Sequence, residues 1–134
     1  MGQPRRTAAE PRLSKPRFLS GLQCHKRLHL ETYAPAVASE PDEQVRARLE
    51  MGIEVGELAR GCFPGGVVVD ADHLEVRDAL SRTAELVSNP GVPAIFEGMF
   101  EYGNGNTVVR VDILRRVARE TWRLIEVKSS ANRV

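Results

Sequence analysis

The stretch AIFEGMFEYGNGNTVVRVDILRRVARETWRLIEVKS, residues 94–129, decides the fold of this chain. Runs of strand-forming residues lie on both sides of the Gly-Asn-Gly-Asn turn at 103–106, a pattern typical of a β-hairpin. A second turn at 118–120 leads into another run of strand-forming residues. The sequence therefore predicts a three-stranded meander, with strands at Ala94–Tyr102, Thr107–Val117 and Thr121–Ser129.

The two turns set the register of the strands, and that register brings acidic residues together. The predicted closing pairs are Tyr102 with Thr107 and Val117 with Thr121. Glu97 then lies opposite Asp112, and Asp112 lies opposite Glu126. Like charges on neighbouring strands destabilise a sheet, but strands about 4.8 Å apart bring the carboxylates close enough to share one ion. The row is therefore a candidate site for a divalent cation held by oxygen ligands.

The same register sorts the remaining side chains of the meander by face. Two rows are predicted beside the acidic residues, namely Ile95–Leu114–Leu124 and Met99–Arg110–Lys128. The reverse face is predicted to be an apolar packing surface formed by Phe96, Phe100, Val109, Val111, Ile113, Ile125 and Val127. A β-bulge in either hairpin would shift the register and scatter the acidic row.

Three motifs occur in a fixed order along the chain. LSKPRFLSGLQCHKRLHLE at 13–31 comes first, MGIEVGELAR at 51–60 second, and Asp112 followed by Glu126-Val127-Lys128 third. In this order they resemble the PD-(D/E)XK nuclease superfamily, and in particular its RecB-like and CRISPR-associated exonuclease branch. The resemblance covers most of residues 13–130 and extends to the N-terminal part of uncharacterised bacterial proteins.

The resemblance implies an α/β fold of restriction-endonuclease type, with helices flanking a mixed, largely antiparallel sheet. It also implies metal-dependent hydrolysis of DNA phosphodiester bonds. Asp112, Glu126 and the carbonyl of Val127 would hold Mg²⁺ or Mn²⁺, and Glu97 would add a ligand or position a water. Lys128 would orient or activate the attacking water and stabilise charge on the phosphate.

Two departures from the family pattern leave alternatives open. The family's histidine corresponds to Gly56, and the chain ends at Val134 before the helix and strand that follow in relatives. The chain is therefore expected to be a C-terminally truncated nuclease domain, or else a non-catalytic nucleic-acid-binding or interaction module of the same fold. Cys24 corresponds to a ligand of the iron–sulfur cluster that some relatives carry. Such a cluster would need three cysteines beyond residue 134, and a buried free thiol is the favoured interpretation of Cys24.

Composition and charge limit the classes of protein to consider. With 134 residues, 42% of them hydrophobic and 28% charged, the chain has room for one globular domain, predicted at 13–134. The absence of a long apolar run and of a secretory leader predicts a cytoplasmic protein without a membrane anchor. The net charge of +1 combines +6 in residues 1–30, −9 in residues 31–101 and +4 in residues 102–134.

Basic ends around an acidic middle suit local contacts with phosphate, and DNA is the partner that the resemblance implies. The candidate phosphate contacts are Arg17, Lys26, Arg27 and Arg110. Residues 1–12 are predicted to be a disordered basic tail. His25 and His29 lie one helical turn apart without further ligands and are interpreted as a surface pair. The last strand is predicted to leave an open sheet edge through which copies of the chain could associate.

Three helices are predicted outside the meander, with a short strand at 67–69. The helices run from the N-cap Ser14 to about Leu30, from Pro41–Asp42 to Arg60, and over Val76–Val87. Their predicted packed faces contain Phe18, Leu22 and Leu28 in the first helix; Val45, Leu49, Gly52, Ile53 and Gly56 in the second; and Val76, Ala79, Leu80, Thr83 and Val87 in the third. Gly52 and Gly56 are expected to allow a close approach to the sheet.

Overall fold

The computed structural model describes residues 11–70 and 75–129, so most of the predicted basic tail lies outside the described residues. Over the described ranges the helices are α1 (Lys15–Gln23), α2 (His25–Tyr33), α3 (Glu43–Gly61) and α4 (Val76–Ser88), with a 3₁₀ turn at Pro35–Val37. The strands are β1 (Val67–Val68), β2 (Ala94–Tyr102), β3 (Thr107–Ala118) and β4 (Thr121–Ile125). No helix in the described part of the chain has the length and apolar composition needed to cross a bilayer.

The four strands form one open sheet in the order β1-β2-β3-β4. β1 pairs in parallel with β2, while β3 and β4 are antiparallel. β2 and β3 are neighbours joined by the four-residue turn 103–106, a connection that only antiparallel strands permit. The predicted α/β class with a mixed sheet is therefore confirmed.

The meander follows the prediction closely until its last strand. The bounds of β2 are as predicted, and the pairs Ile113↔Ile125 and Leu114↔Leu124 confirm the predicted register of β3 and β4. The predicted closing pair of the second hairpin, Val117 with Thr121, is wrong. Thr121 pairs with Ala118, and the register shifts between Arg116 and Ala118. β4 ends at Ile125 instead of Ser129, so the motif Glu126-Val127-Lys128 follows the strand instead of lying within it.

Contacts within the chain group the residues into two compact units. One holds the residues up to Ala38 together with Glu101–Val109, and the other holds Ser39–Phe100 together with the residues from Arg110 onward.

In the second unit apolar residues pack on both faces of the sheet. One cluster joins the sheet to α4 and contains Val69, Ala79, Leu86, Val92, Ile95, Val111 and Leu114. The other joins it to the end of α3 and contains Ala94, Phe96 and Ile113, with Ala59, Phe63, Ile125 and Val127 packed against them. Phe96, Ile113, Ile125 and Val127 thus lie together as predicted. The predicted division into an apolar and an acidic face is wrong. Val111, assigned to the apolar face, and Ile95 and Leu114, assigned to the acidic face, belong to the same cluster against α4, with Phe100 packed on it.

Helix α4 packs on the sheet largely as the sequence predicts. Ala79 and Thr83 are buried, and Leu86 is a third buried residue that the prediction omitted. The Thr83 hydroxyl donates to the Ala79 carbonyl at 2.8 Å and accepts the Met99 N–H at 2.9 Å. This hydroxyl joins α4 to β2 at a point that β1, which ends at Val68, does not reach.

Helix α3 begins where predicted but packs differently. It begins after Asp42, whose carboxylate accepts the Val45 N–H at 2.8 Å. Its predicted packed face is wrong, because Leu49 and Ile53 are 59% and 63% exposed. A Cβ added at Gly52 or Gly56 would meet no atom within 4 Å. These glycines therefore border open space, and the prediction that they allow a close approach to the sheet is wrong.

The single N-terminal helix predicted over 14–30 is two helices. Cys24, with φ −162° and ψ 118°, interrupts the run and serves as the N-cap of α2. Gly21 lets the two helices pack, because a Cβ there would lie 3.0 Å from Leu28 Cδ2. The predicted apolar stripe is also wrong, since Phe18 and Leu22 are exposed.

A segment before α1 fixes this helix pair to the β2–β3 turn. Leu13 forms a parallel bridge with Thr107, and its N–H donates to the Asn106 carbonyl at 2.8 Å. The Arg12 guanidinium donates to the Gly105 carbonyl at 2.9 Å. The first unit is therefore a helical hairpin tied to the tip of a β-hairpin.

Candidate functional site

Two of the predicted acidic residues line one cavity of about 100 Å³ in the second unit. Glu97 comes from β2 and Asp112 from β3, so neighbouring strands bring them to the same place. The other lining residues are Gly52, Gly56 and Arg60 of α3, Ile113 of β3, and Val127. Gly56, at which the resemblance to the nuclease superfamily predicted a histidine position, therefore borders the same space as Asp112.

Glu97 occupies an unusual backbone conformation, with φ 58°. This left-handed region is unfavourable for a residue with a Cβ, at a cost of about 1–2 kcal/mol. Its side chain is 22% exposed and pairs through Oε1 with Arg60 at 2.9 Å and through Oε2 with Arg110 at 3.1 Å. The pair with Arg60 connects Glu97 to α3, and the pair with Arg110 connects it to β3.

Asp112 is connected to the segment that follows β4. Its Oδ2 accepts the Val127 N–H at 2.8 Å. The last ladder pair is Ile113↔Ile125, so the same register continued by one residue would set Glu126 opposite Asp112. The hydrogen bond to Val127 shows that the two segments stay adjacent beyond the end of the ladder.

Glu126 and Lys128 lie outside the cavity lining and are both exposed to solvent. The Lys128 ammonium donates to Glu126 Oε1 at 2.5 Å. The structure thus brings Glu97 and Asp112 together but does not add Glu126 to them. Because β4 ends at Ile125, strand alternation no longer fixes where the Glu126 side chain points.

The cavity fits a hard divalent cation in its chemistry but offers few ligands. Within residues 11–70 and 75–129, no three His, Cys, Asp or Glu side chains come together as a group able to hold a metal ion. Mg²⁺ is commonly bound by one or two carboxylates, with waters and substrate phosphates as the remaining ligands. Asp112 and Glu97 are the carboxylates that could take this part.

Arg60 is a site residue that sequence reasoning missed. It lies four residues after Gly56 and eight after Gly52, so all three occupy one face of α3. The signal is present in the motif MGIEVGELAR, which ends at Arg60 one helical turn after Gly56. Arg60 is the α3 residue whose side chain reaches the acidic pair.

The predicted phosphate contacts mostly have partners within the protein. Arg17 Nη1 donates to the Arg12 carbonyl at 2.8 Å, and Arg27 pairs with Glu31 at 2.7 Å and with Gln23 at 3.0 Å. Arg110 pairs with Glu97. Lys26 is exposed on α2.

The residues considered for a metal cluster are spread over the surface. Cys24 and Cys62 are free and exposed, so the expectation of a buried thiol at Cys24 is wrong. The Cys24 backbone is extended where α1 gives way to α2, and this break places the thiol in solvent. His25 and His29 are exposed on α2, and the His29 ring lies 5.0 Å from that of Tyr33.

Comparisons of this chain with models of protein families, with curated proteins and with solved structures find no match. The site is therefore interpreted from its own geometry.

Proposed function

We propose that this chain is a divalent-metal-dependent nuclease module of restriction-endonuclease-like fold that hydrolyses DNA phosphodiester bonds. One observation carries the proposal: Asp112 and Glu97, from neighbouring strands, line a single cavity with Arg60 of a flanking helix. Carboxylates beside guanidinium groups provide ligands for a cation and donors for a phosphate in the same small volume.

Asp112 and Glu97 would hold Mg²⁺ or Mn²⁺ with the Val127 carbonyl beside them. When bound, the cation lowers the pKa of a water and neutralises charge on the phosphate. Glu126 would join the site if the register of β3 and β4 continued past Ile125, because that register would set Glu126 across from Asp112. The bond from Val127 N–H to Asp112 holds that segment next to the cavity.

The arginines bind and orient the substrate. Arg60 and Arg110 present planar, bidentate donors of the kind that recognise phosphate oxygens. Both are paired with Glu97 in the protein alone, so a phosphate would replace the carboxylate as their partner. Lys128, two residues after Glu126, would stabilise charge that develops on the phosphate.

Cleavage assays with matched variants test this proposal. The chain is incubated with single-stranded and double-stranded DNA in Mn²⁺, beside Asp112→Asn, Glu126→Gln and the control Glu120→Gln in the exposed β3–β4 turn. We expect cleavage to fall about 100-fold or more in the first two, because the carboxylate's part in metal catalysis contributes several kcal/mol, and to stay unchanged in the control. Cleavage that persists in Asp112→Asn would identify a contaminating nuclease and refute the proposal.

A non-catalytic nucleic-acid-binding module is the second candidate function. It is favoured by the pairing of both Glu97 oxygens with arginines and by the lack of a three-ligand group in the described ranges. Fluorescence anisotropy with labelled DNA in EDTA distinguishes it. Binding that Arg60→Gln weakens, in a chain that cleaves nothing in Mn²⁺ or Mg²⁺, would support the module and exclude the enzyme.

A further inference from the structure

A groove of about 300 Å³ lies in the first unit, between the segment at 11–13 and the helices α1 and α2. It shares no residue with the cavity around Asp112. Among the described residues that line it there is no carboxylate. Its polar lining consists of Arg12, Arg17, His25, His29, Thr32 and Tyr33.

The two arginines are held in place by bonds that use only part of their hydrogen-bonding capacity. Arg12 Nε donates to the Gly105 carbonyl at 2.9 Å, and Arg17 Nη1 donates to the Arg12 carbonyl at 2.8 Å. Each guanidinium carries five N–H donors, so each retains donors after these bonds. Two guanidiniums fixed beside one groove are suited to bind phosphate oxygens, since the ordering of their side chains is already complete.

One acidic residue of α2 is engaged by partners outside the groove lining. Glu31, on α2, pairs with Arg27 at 2.7 Å. The Ser20 hydroxyl, and after it Arg27, hold the pKa of Glu31 below its usual value, with a smaller contribution from Arg17. Glu31 is therefore an anion bound to its own partners, and it does not line the groove.

Rings from α2 form the other side of the groove. His25, His29 and Tyr33 follow one another at intervals of four residues and so share one face of the helix. The His29 and Tyr33 rings lie 5.0 Å apart at 44°, and Tyr33 is 67% exposed. Exposed rings of this kind provide a surface on which a nucleobase stacks, with a contribution of about 1–3 kcal/mol per base.

We propose that this groove binds one nucleotide unit, with its phosphate between Arg12 and Arg17 and its base against His29 and Tyr33. The volume is at the lower end of the range for small-ligand sites, about 300–1,000 Å³. The binding needs no metal ion and none of the residues assigned above to hydrolysis. The unit could be a free nucleotide or the phosphorylated end of a strand, which present the same chemistry.

Titrations of the full chain in EDTA test the proposal. Calorimetry compares dAMP, deoxyadenosine and inorganic phosphate, and NMR follows the imidazole signals of His25 and His29. We expect dAMP to shift both signals and to bind at least about tenfold more tightly than deoxyadenosine, because charge-assisted bonds to phosphate are the stronger contacts. Signals of His25 and His29 that do not respond to dAMP would overturn the proposal.

Three variants separate a built site from general attraction to positive charge. Arg12→Gln and Tyr33→Leu should each weaken the binding of dAMP about tenfold. Lys15→Gln removes a charge from α1 outside the groove lining and should change the affinity less than about twofold. Tyr33 is exposed, so its variant is expected to fold even if Arg12→Gln loosens the segment at 11–13. Equal losses in Arg12→Gln and Lys15→Gln, or full binding by Tyr33→Leu, would refute the site.

Oligonucleotides then identify the source of the nucleotide. A 5′-phosphorylated hexanucleotide that binds more tightly than both dAMP and its 5′-hydroxyl counterpart would assign a strand end. A dAMP affinity at least equal to that of the phosphorylated strand would assign a free nucleotide. Tighter binding of the 5′-hydroxyl strand than of either phosphorylated ligand would overturn the proposal, because it would show that backbone charge alone attracts DNA.

Discussion

Replacing Thr83 by Val tests whether one buried hydroxyl fixes β2 beside the candidate site. Thr83 is 1% exposed, and its hydroxyl accepts the Met99 N–H two residues beyond Glu97. Valine has nearly the same shape, so no cavity forms, but the Met99 N–H loses its acceptor. An unsatisfied buried donor costs about 1–3 kcal/mol, and we therefore expect the free energy of unfolding to fall by about 2 kcal/mol.

Urea denaturation and thermal melting measure this change, and for a chain of this size about 2 kcal/mol corresponds to a Tm lower by about 7 °C. Thr83→Ser is the matched control, because it keeps the hydroxyl and removes only a methyl group. Hydrogen exchange assigns the cause: the Met99 amide should exchange faster in Thr83→Val and remain protected in Thr83→Ser. Unchanged protection of that amide in Thr83→Val would refute the role given to the hydroxyl.

Two further predictions concern packing and charge. Gly66→Ala should destabilise the protein by about 3 kcal/mol, because the new Cβ would lie 2.3 Å from Phe96 Cζ and 3.2 Å from the Phe63 carbonyl oxygen. Gly52→Ala, whose new Cβ would meet no atom within 4 Å, should instead stabilise α3 by about 0.5–1 kcal/mol. Equal urea midpoints for the two variants would contradict this prediction. Glu31→Gln should lower the Tm at neutral pH, because the Ser20 hydroxyl and Arg27 depress the pKa of Glu31 in the folded protein. A carboxyl group whose pKa is depressed in the folded state contributes stability above its unfolded-state pKa, and this stability is lost as the pH falls through its folded-state pKa. The difference in Tm between the parent protein and Glu31→Gln should therefore shrink on acidification. A difference that grew would contradict the prediction.

Local sequence signals were sufficient to predict β2, β3 and the turn between them. The Gly-Asn-Gly-Asn turn and the strand-forming residues beside it are short-range features, and the structure reproduces the predicted bounds of β2 and the turn. The register of β3 and β4 also follows the prediction over Ile113–Arg116, but the closing pair and the end of β4 do not. These features depend on residues close in sequence, which a single chain displays directly.

Features that depend on distant packing were not predictable in the same way. The periodicity of α3 suggested a packed face, but the contacts with the sheet come from Ala59 and Phe63 at and beyond the end of the helix. Cys24 interrupts the N-terminal helix without a proline or glycine at that position. In both cases the position of a partner element decides the outcome, and periodicity within one segment does not contain that information.

Arg116 shows the same limit for a single side chain. Its guanidinium donates to the carbonyls of Val87, Asn89, Val92 and Arg119, and it stacks 4.0 Å from the centre of the Trp122 ring. The neighbouring Arg115 is exposed and lies over Phe63. Adjacent arginines in one strand thus have different surroundings. Strand alternation predicts that their side chains point to opposite faces of the sheet, but it does not predict which groups each one contacts.

The ion pairs of Glu97 bear on how the proposed nuclease site would assemble. In the protein alone Glu97 pairs with Arg60 through Oε1 and with Arg110 through Oε2, so a ligand that takes either side of these ion pairs breaks them. A cation arriving alone would take Glu97 from both arginines, and a phosphate arriving alone would take the arginines from Glu97, which lies in a partly buried cavity. When both arrive together, the cation takes the carboxylate and the phosphate takes the arginines, so each broken ion pair is replaced. On the proposed function, cation and DNA phosphate should therefore bind this cavity cooperatively, each weakly without the other.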